Sequence, residues 1–490
     1  MSIQGALLTS LSSLAVLGKQ TNLISNNVAN ANTAGYEEEG MTQTELVGNG
    51  VGSGVAAGQI SVLANQTASA AANQAASSAA YSQQMVNVLT SYTNALGQAS
   101  DASSLPSQLS AFTAALTTLS STPADGTAQS QAVGAAQSLV NTFHSLSGTI
   151  STQREQADQA IGTGVVSANN TLNQFAQNEA SRRLASANGQ STAEFDNQRT
   201  QLLASLSKDL PIKVYPGTNG AITVTTDQGT TLYDGTVHAL SFATTPTIPA
   251  TMRVTADPAK GLTAGLSQVT VDGQPISMSQ SGSIAANLQL RDVTLPGFSD
   301  GLDRLAANLV ATFQTADPTV SAGQTGLFTA AGAALDTSNA ASVAGVAATI
   351  GVNSLVDPSQ GGATWRMRDG VQATTQGPTS NSTTIVGFVN ALQSAGSASA
   401  VAGLPAATSL SDALSQVAGQ QQSVSSTWTG INTSRAQQAT DAQSAFSNQT
   451  GVNIDEQMQR LLIVQQTYQA SAEVIRTASS MLSSLISTLQ

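Results

Sequence analysis

The chain of 490 residues contains no cysteine, which excludes a disulfide framework and any thiolate metal site. Histidine is nearly absent too. The two present, His144 and His238, have no ligand-spaced companions, so neither a metal nor a cofactor is expected. Aromatic residues make up 4% of the chain, too little material to line a deep ligand pocket. Charged residues make up 9%, with a net charge of −12, and Arg182-Arg183 is the only adjacent basic pair. Phosphate binding needs clustered Lys and Arg, so no nucleic acid is expected, nor an anionic membrane surface. No stretch stays apolar for the roughly 18 residues of a membrane span. The N-terminus lacks a basic segment followed by an unbroken apolar core, so a cleaved signal peptide is not expected. A Gly-x-Ser-x-Gly elbow between strand and helix is also missing, and nothing points to an enzyme.

What remains is a chain rich in Ala, Ser, Thr, Gln, Asn and Gly, long enough for about three domains. Its clearest order lies at the two ends. From Gly451, the residues Ile454, Met458, Leu461, Gln465, Tyr468, Ala472, Ile475, Ser479, Leu482, Ile486 and Leu489 alternate steps of four and three. Ile3, Leu7, Ser10, Leu14, Leu17, Thr21, Ile24 and Val28 do the same at the start. That spacing keeps one face of each helix toward a partner helix, so the ends are expected to pair as a coiled coil. Gln465 and Ser479 are read as polar interruptions of the C-terminal seam.

The first helix is expected to stop near Ala31, because the Asn cluster from Asn26 to Asn32 competes for helical hydrogen bonds. Gly35 can supply a positive φ at the turn. Glu37, Glu38 and Glu39 read as a solvated acidic turn without the ligand pattern of a calcium loop. The alternating glycines of 48–55 lack the closing Lys-Ser or Lys-Thr of a phosphate loop and read as a flexible extended segment. Helical spacing marks 64–98, 105–121, 128–160 and 167–187, with Pro106 and Pro123 at boundaries, and a further helix at 196–206. Short alternating stretches then follow from Pro211, and Asn219-Gly220 and Asp272-Gly273 mark turns of a small β region of about six strands. Helix resumes at Ile284 and runs to Phe313, broken at Pro296-Gly297. Residues 331–370 read as a loose mixed segment with a strand at 365–368. Helices at 384–392, 410–417 and 424–446 complete the bundle.

Two quoted stretches carry a resemblance. Ser25 to Tyr36, Asn-rich and closing on Gly-Tyr, resembles the signature behind the first helix of the bacterial flagellar axial family. The run Gly451-Val452-Asn453-Ile454-Asp455-Glu456, with Gln465 to Ala472, is similar to that family's terminal helix. The order of helix 196–206, β insertion, and return through 282–292 and 302–306 resembles its hook–filament junction members. The hook protein and, from another class, a secreted Ala/Ser-rich adhesin are the alternatives.

The expected fold is mainly α with an inserted small β domain: paired terminal helices, an elongated helical bundle and an outer β domain. Its parts are 1–40 with 451–490, 41–207 with 282–450 (holding the loose segment 314–370), and 208–281. The resemblance implies a structural subunit of the extracellular flagellum that polymerises through its ends. The partners it implies are further copies of the chain, hook protein, a second junction protein, and an export chaperone on the C-terminal helix. The subunit-interface residues expected are Ile3, Leu7, Leu14, Leu17, Ile24, Val28, Asn30, Asn32, Gly35, Tyr36, Ile454, Met458, Leu461, Tyr468, Ile475, Leu482, Ile486 and Leu489.

Overall fold

The computed structural model describes residues 3–33, 35–48, 51–98, 100–336, 339–394 and 409–488. The N-terminal helix α1 (Ile3–Asn30) ends at the Asn cluster and leads into an antiparallel hairpin, β1 (Glu39–Gly48) and β2 (Val51–Val62). Of the glycine run 48–55, residues 48 and 51–55 are strand rather than a loose linker, and 49–50 lie outside the described residues. Its glycines permit close packing: a Cβ on Gly58 would clash with Thr42, and one on Gly54 with Ser12 of α1.

Four helices follow: α2 (Gln66–Leu96), α3 (Leu105–Ser121), α4 (Gly126–Ala187) and α5 (Ala193–Asp209). Side chains start three of them, with Asn65, Ser104 and Asp125 accepting from the backbone of Ala68, Ser107 and Thr127. The separate helices expected at 128–160 and 167–187 are one helix of 62 residues, roughly 90 Å long. Gly162 and Gly164 sit inside it because neighbours press on them. A Cβ at Gly162 would lie 2.6 Å from Thr244, and one at Gly164 would lie 2.8 Å from Ile284. Tertiary packing here outweighs the low helix propensity of glycine.

The β region consists of short strands in three small sheets. β3 (Ile212–Pro216), β4 (Ile222–Thr226) and β5 (Thr231–Tyr233) form one, in that order. After β6 (Leu240–Ser241), β7 (Met252–Arg253) and β8 (Thr263–Ala264) form a parallel pair. β9 (Thr270–Val271) then pairs with β6 on one side and β10 (Gln274–Pro275) on the other. These strands share a core with the helices: Val224, Leu232 and Tyr233 pack with Ile161, Leu172 and Phe175 of α4 and Leu206 of α5. Two arginines with no exposed surface, Arg154 and Arg291, fasten the region to α4. Arg154 donates to the carbonyls of Arg291 (3.0 Å), Pro249 (3.1 Å) and Met252 (2.6 Å). Arg291 donates to Asp158 at 2.6 Å and to the Ser267 carbonyl at 2.7 Å. Arg291 is thus paired with carboxylates, and Arg154 is held by three backbone carbonyls, which is how burial of each charge is tolerated.

Helix returns as α6 (Ser283–Gln289), a π turn (Leu290–Thr294) and α7 (Leu295–Ala316). The break expected at Pro296-Gly297 is that π turn, and Pro296 occupies the first turn of α7, where its missing N–H costs nothing. Residues 331–370 are not loose. β11 (Phe328–Ala330) pairs with β12 (Ile350–Val352), preceded by the short α8 (Val346–Thr349), and Val346, Ala347, Ile350, Val356 and Met367 are buried. Asp303 of α7 holds this segment by accepting from the backbone of Gly345 and Ala347, both at 2.9 Å. Residues 365–368, expected as strand, begin α9 (Arg366–Asp369) instead. Then come α10 (Thr383–Gln393), the single long α11 (Leu410–Thr450) and α12 (Ile454–Thr488). The rod's core centres on Phe112, Phe313, Phe328 and Phe388, whose rings lie 4.9–5.7 Å apart where they touch.

Candidate assembly site at the joined chain ends

α1 and α12 run antiparallel. Asn27 meets Gln457 at the rod end, Ser13 meets Ser471 midway, and Ile3 lies beside Val474 and Ala478 further out. Their apolar contact is small, with Leu17, Ile24 and Val464 buried and Leu14, Val28 and Leu461 packed around them. On α1 the expected seam turns inward. Leu17 and Ile24 are buried, and Ile3, Leu7, Leu14 and Val28 are half-buried. Beyond it Asn30 and Gly35 are half-buried, Asn32 is exposed, and Tyr36 is buried within the chain. Gly35 has φ +78°, the left-handed turn expected of it.

On α12 the seam differs. Leu461 and Ile475 are half-buried as expected, but the alternate positions toward α1 are Gln457, Val464, Ser471 and Ala478. Each lies one residue before the expected Met458, Gln465, Ala472 and Ser479, so Gln465 and Ser479 point to solvent. Ile454, Met458, Tyr468, Leu482 and Ile486 are likewise exposed. Leu489 lies outside the described residues. Ten large apolar side chains of α12, from Ile454 at 43% to Ile463 at 62%, therefore stay in solvent. They are spread around the helix, and together expose more apolar surface than scattered single residues do.

The rotation of α12 is set at its first turn, where the chain ends cross the rod. Glu37, Glu38 and Glu39 lie there and are buried, correcting their reading as a solvated turn. Every backbone group available in this crossing is used. The Glu37 N–H donates to the Asn197 side chain of α5 at 2.8 Å, and Glu38 N–H donates to the Thr450 carbonyl at 2.6 Å. The Glu38 carbonyl accepts from Leu63 N–H at 2.8 Å. Asn27, with no exposed surface, accepts from Glu39 N–H (3.0 Å) and the Tyr36 hydroxyl (3.1 Å), and donates to the Glu39 carbonyl (2.9 Å). Buried backbone groups need such partners, and one asparagine supplies several. Glu38 also carries a charge contact: its carboxylate accepts from Gln457 at 3.0 Å and Arg460 at 2.8 Å, both on α12. Gln457 must face inward to reach it, which fixes the seam one residue early. Burial raises the Glu37 carboxyl to about 7, with Asp196 adding to it. Glu39 is raised by burial and then by Glu194, and the Tyr36 hydroxyl is raised by burial and the nearby carboxylates.

Sequence reasoning missed Asn27, Asn197, Gln457, Arg460 and the glutamates as members of this site. Asn27 lay inside the Asn-rich signature; nothing in spacing singles out Asn197, which is brought in by α5. His238 lies just before β6, between Asp272 at 2.6 Å and Asp234 at 3.4 Å. His144 on α4 contacts the Ile350 carbonyl at 2.7 Å. Among the described residues no group of three or more His, Asp or Glu could hold a metal, and no helix is long and apolar enough to cross a membrane.

Known proteins share these parts. The family of the flagellar hook-associated protein FlgK helical domain matches residues 89–326. Flagella basal body rod protein matches 7–36, and the flagellar basal body rod FlgEFG protein C-terminal family matches 443–488. Flagellar hook-associated protein 1 of Salmonella typhimurium LT2 is 26% identical over 297 residues, which is 58% of this chain and 51% of that protein. Its counterpart in Escherichia coli K12 is 26% identical over 305 residues, 60% and 53% of the two chains. The chain thus spans about half the length of the curated relatives it matches. A solved structure, the flagellar hook junction protein FlgK from Burkholderia pseudomallei, aligns with TM-score 0.43 and 18% identity over 53% of this chain and 46% of that one. Rod-protein families thus match both members of the terminal coil and the FlgK helical-domain family matches the stretch between them, so the chain is similar to flagellar axial proteins at both ends and to FlgK in its middle.

Proposed function

We propose that this chain joins the flagellar hook to the filament as a structural subunit, polymerising through its terminal helices. The observation that carries this reading is the unpartnered apolar surface of α12. α1 covers one side of that helix only, and ten large apolar residues remain exposed. Copies that bring their own α1 and α12 alongside would bury it, so order in the coil arrives with assembly. Ile454, Met458, Tyr468, Leu482 and Ile486 are the α12 contacts of this interface, and Asn32 is the exposed contact at the end of α1. The inward-facing seam residues from Ile3 to Val28 support it from within. Hook protein on one side, a second junction protein on the other and an export chaperone on α12 before secretion complete the set of partners.

Removing 451–490 tests this. The expected outcome is a soluble chain with a folded rod, and cells that bear hooks without filaments by electron microscopy. Normal filaments and motility would overturn it.

A further inference from the structure

We infer that the Glu37–Glu39 crossing is a proton-operated latch, which holds the terminal coil to the rod when Glu37 and Glu39 are neutral and releases it when they ionise. It adds regulation to the assembly reading above, at the same joint, and rests on that reading only for its use in the cell. Three observations support it.

The first is the contrast among three successive glutamates. Glu38 has Gln457 and Arg460, whereas Glu37 and Glu39, 2% and 6% exposed, have no donor or cation on their carboxylates among the described residues. Burial without a partner disfavours the charged form of a carboxylate.

The second is the company they keep. From α5, Asp196 acts on Glu37 and Glu194 on Glu39, both disfavouring ionisation. The cations nearby are committed: Arg182 of α4 to Asp196 at 2.5 Å, and Arg199 of α5 to Glu179 at 2.6 and 2.8 Å. From α12, Arg460 is shared between Glu38 and Glu456. α1 presents the neutral Asn27, and α11 the Thr450 carbonyl. Ser61, Asn65 and Gln66, which line the same cavity as Glu37, are also neutral.

The third is position. The backbone of these three residues links α1 to α5, α11 and Leu63 behind β2, beside the Gln59–Gly189 and Ser191–Ile60 hydrogen bonds of β2, so displacing their side chains loosens the joint. The direction follows from linkage. Glu37 titrates near 7 when docked against an ordinary value of 4.5, so the docked state binds more protons between those limits. Its contribution is fully present below about pH 4.5 and is lost as pH rises through about 7.

The experiment uses the free full-length chain, so its result does not depend on polymerisation. Because the chain has no cysteine, Gln459→Cys on α12 and Ser186→Cys on α4, both exposed, can carry a spin-label pair. The distance distribution should be narrow at pH 6 and broad at pH 8.5. In Glu37→Gln/Glu39→Gln it should be narrow at both, with circular dichroism showing an intact rod. A native distribution that does not change with pH would overturn the latch, and so would a double variant that is not narrow at pH 8.5. If the latch fails, a chain that still polymerises leaves the assembly reading intact; if polymerisation fails, the pH response still stands by itself.

Discussion

The rod and the terminal coil are made of the same kinds of residue, long Ala- and Ser-rich helices with few charges, yet they bury very different amounts of themselves. In the rod, α2, α3, α4, α7 and α10 close around Phe112, Phe313, Phe328 and Phe388, and side chains such as Met85, Leu89 and Tyr92 have no exposed surface. In the coil, nine described residues of α1 and α12 are buried, and ten large apolar side chains of α12 face solvent. Helices of this composition hold together by packing rather than by propensity, so the rod is complete in one chain and the coil is not. The same composition therefore serves two ends: stability inside the rod, and a reserve of unburied surface at the joined termini.

Substitutions can break this contrast from either side. The largest effect is expected in the rod. Phe313→Ala removes a ring touching three others and should lower stability in urea denaturation by about 3–5 kcal/mol; an unchanged midpoint would show that the phenylalanine cluster is not the rod's centre. At the joint, Asn27→Ala strands the Glu39 backbone groups and should cost about 1–3 kcal/mol locally. Its signature is faster proteolysis between 30 and 40 with the rod's unfolding midpoint retained, and resistance equal to the native chain would argue against the crossing as a joint. The smallest effect on the rod is expected from Leu17→Ala with Val464→Ala. Because the coil opens locally, the rod's unfolding should move by under about 0.5 kcal/mol, while incorporation at the hook tip falls sharply. A rod destabilised as much as by Phe313→Ala would erase the distinction between the two regions.

Much of this architecture could be read from the residues. The ends of α1 and α3 and the β3–β4 turn lie where Asn clusters, proline and Asn-Gly put them. The misreadings have physical causes. Glycines 162 and 164 look like a helix break until Thr244 and Ile284 are seen pressed against them. The stretch 331–370 has weak periodicity because its order comes from Asp303 and the rod surface rather than from its own pattern. Three consecutive glutamates suggest solvent, and here they are buried because their backbone joins four elements. The α12 seam was half legible: Gln457/Val464/Ser471/Ala478 and Met458/Gln465/Ala472/Ser479 repeat with the same period and comparable apolarity.

The sequence alone thus determined that the two ends are amphipathic helices with matching heptads, that the middle is helical with a β insertion, and that thiol chemistry has no residues to work with. These follow from local spacing and composition, which act within a turn or two of chain. Tertiary structure decided which face of α12 meets α1, because Glu38 must reach Gln457 and Arg460 from a different part of the chain. It also decided that Glu37 and Glu39 are buried without partners, a consequence of where α5 comes to lie. Burial and electrostatic company depend on residues hundreds of positions apart, and no periodicity within a helix carries that information.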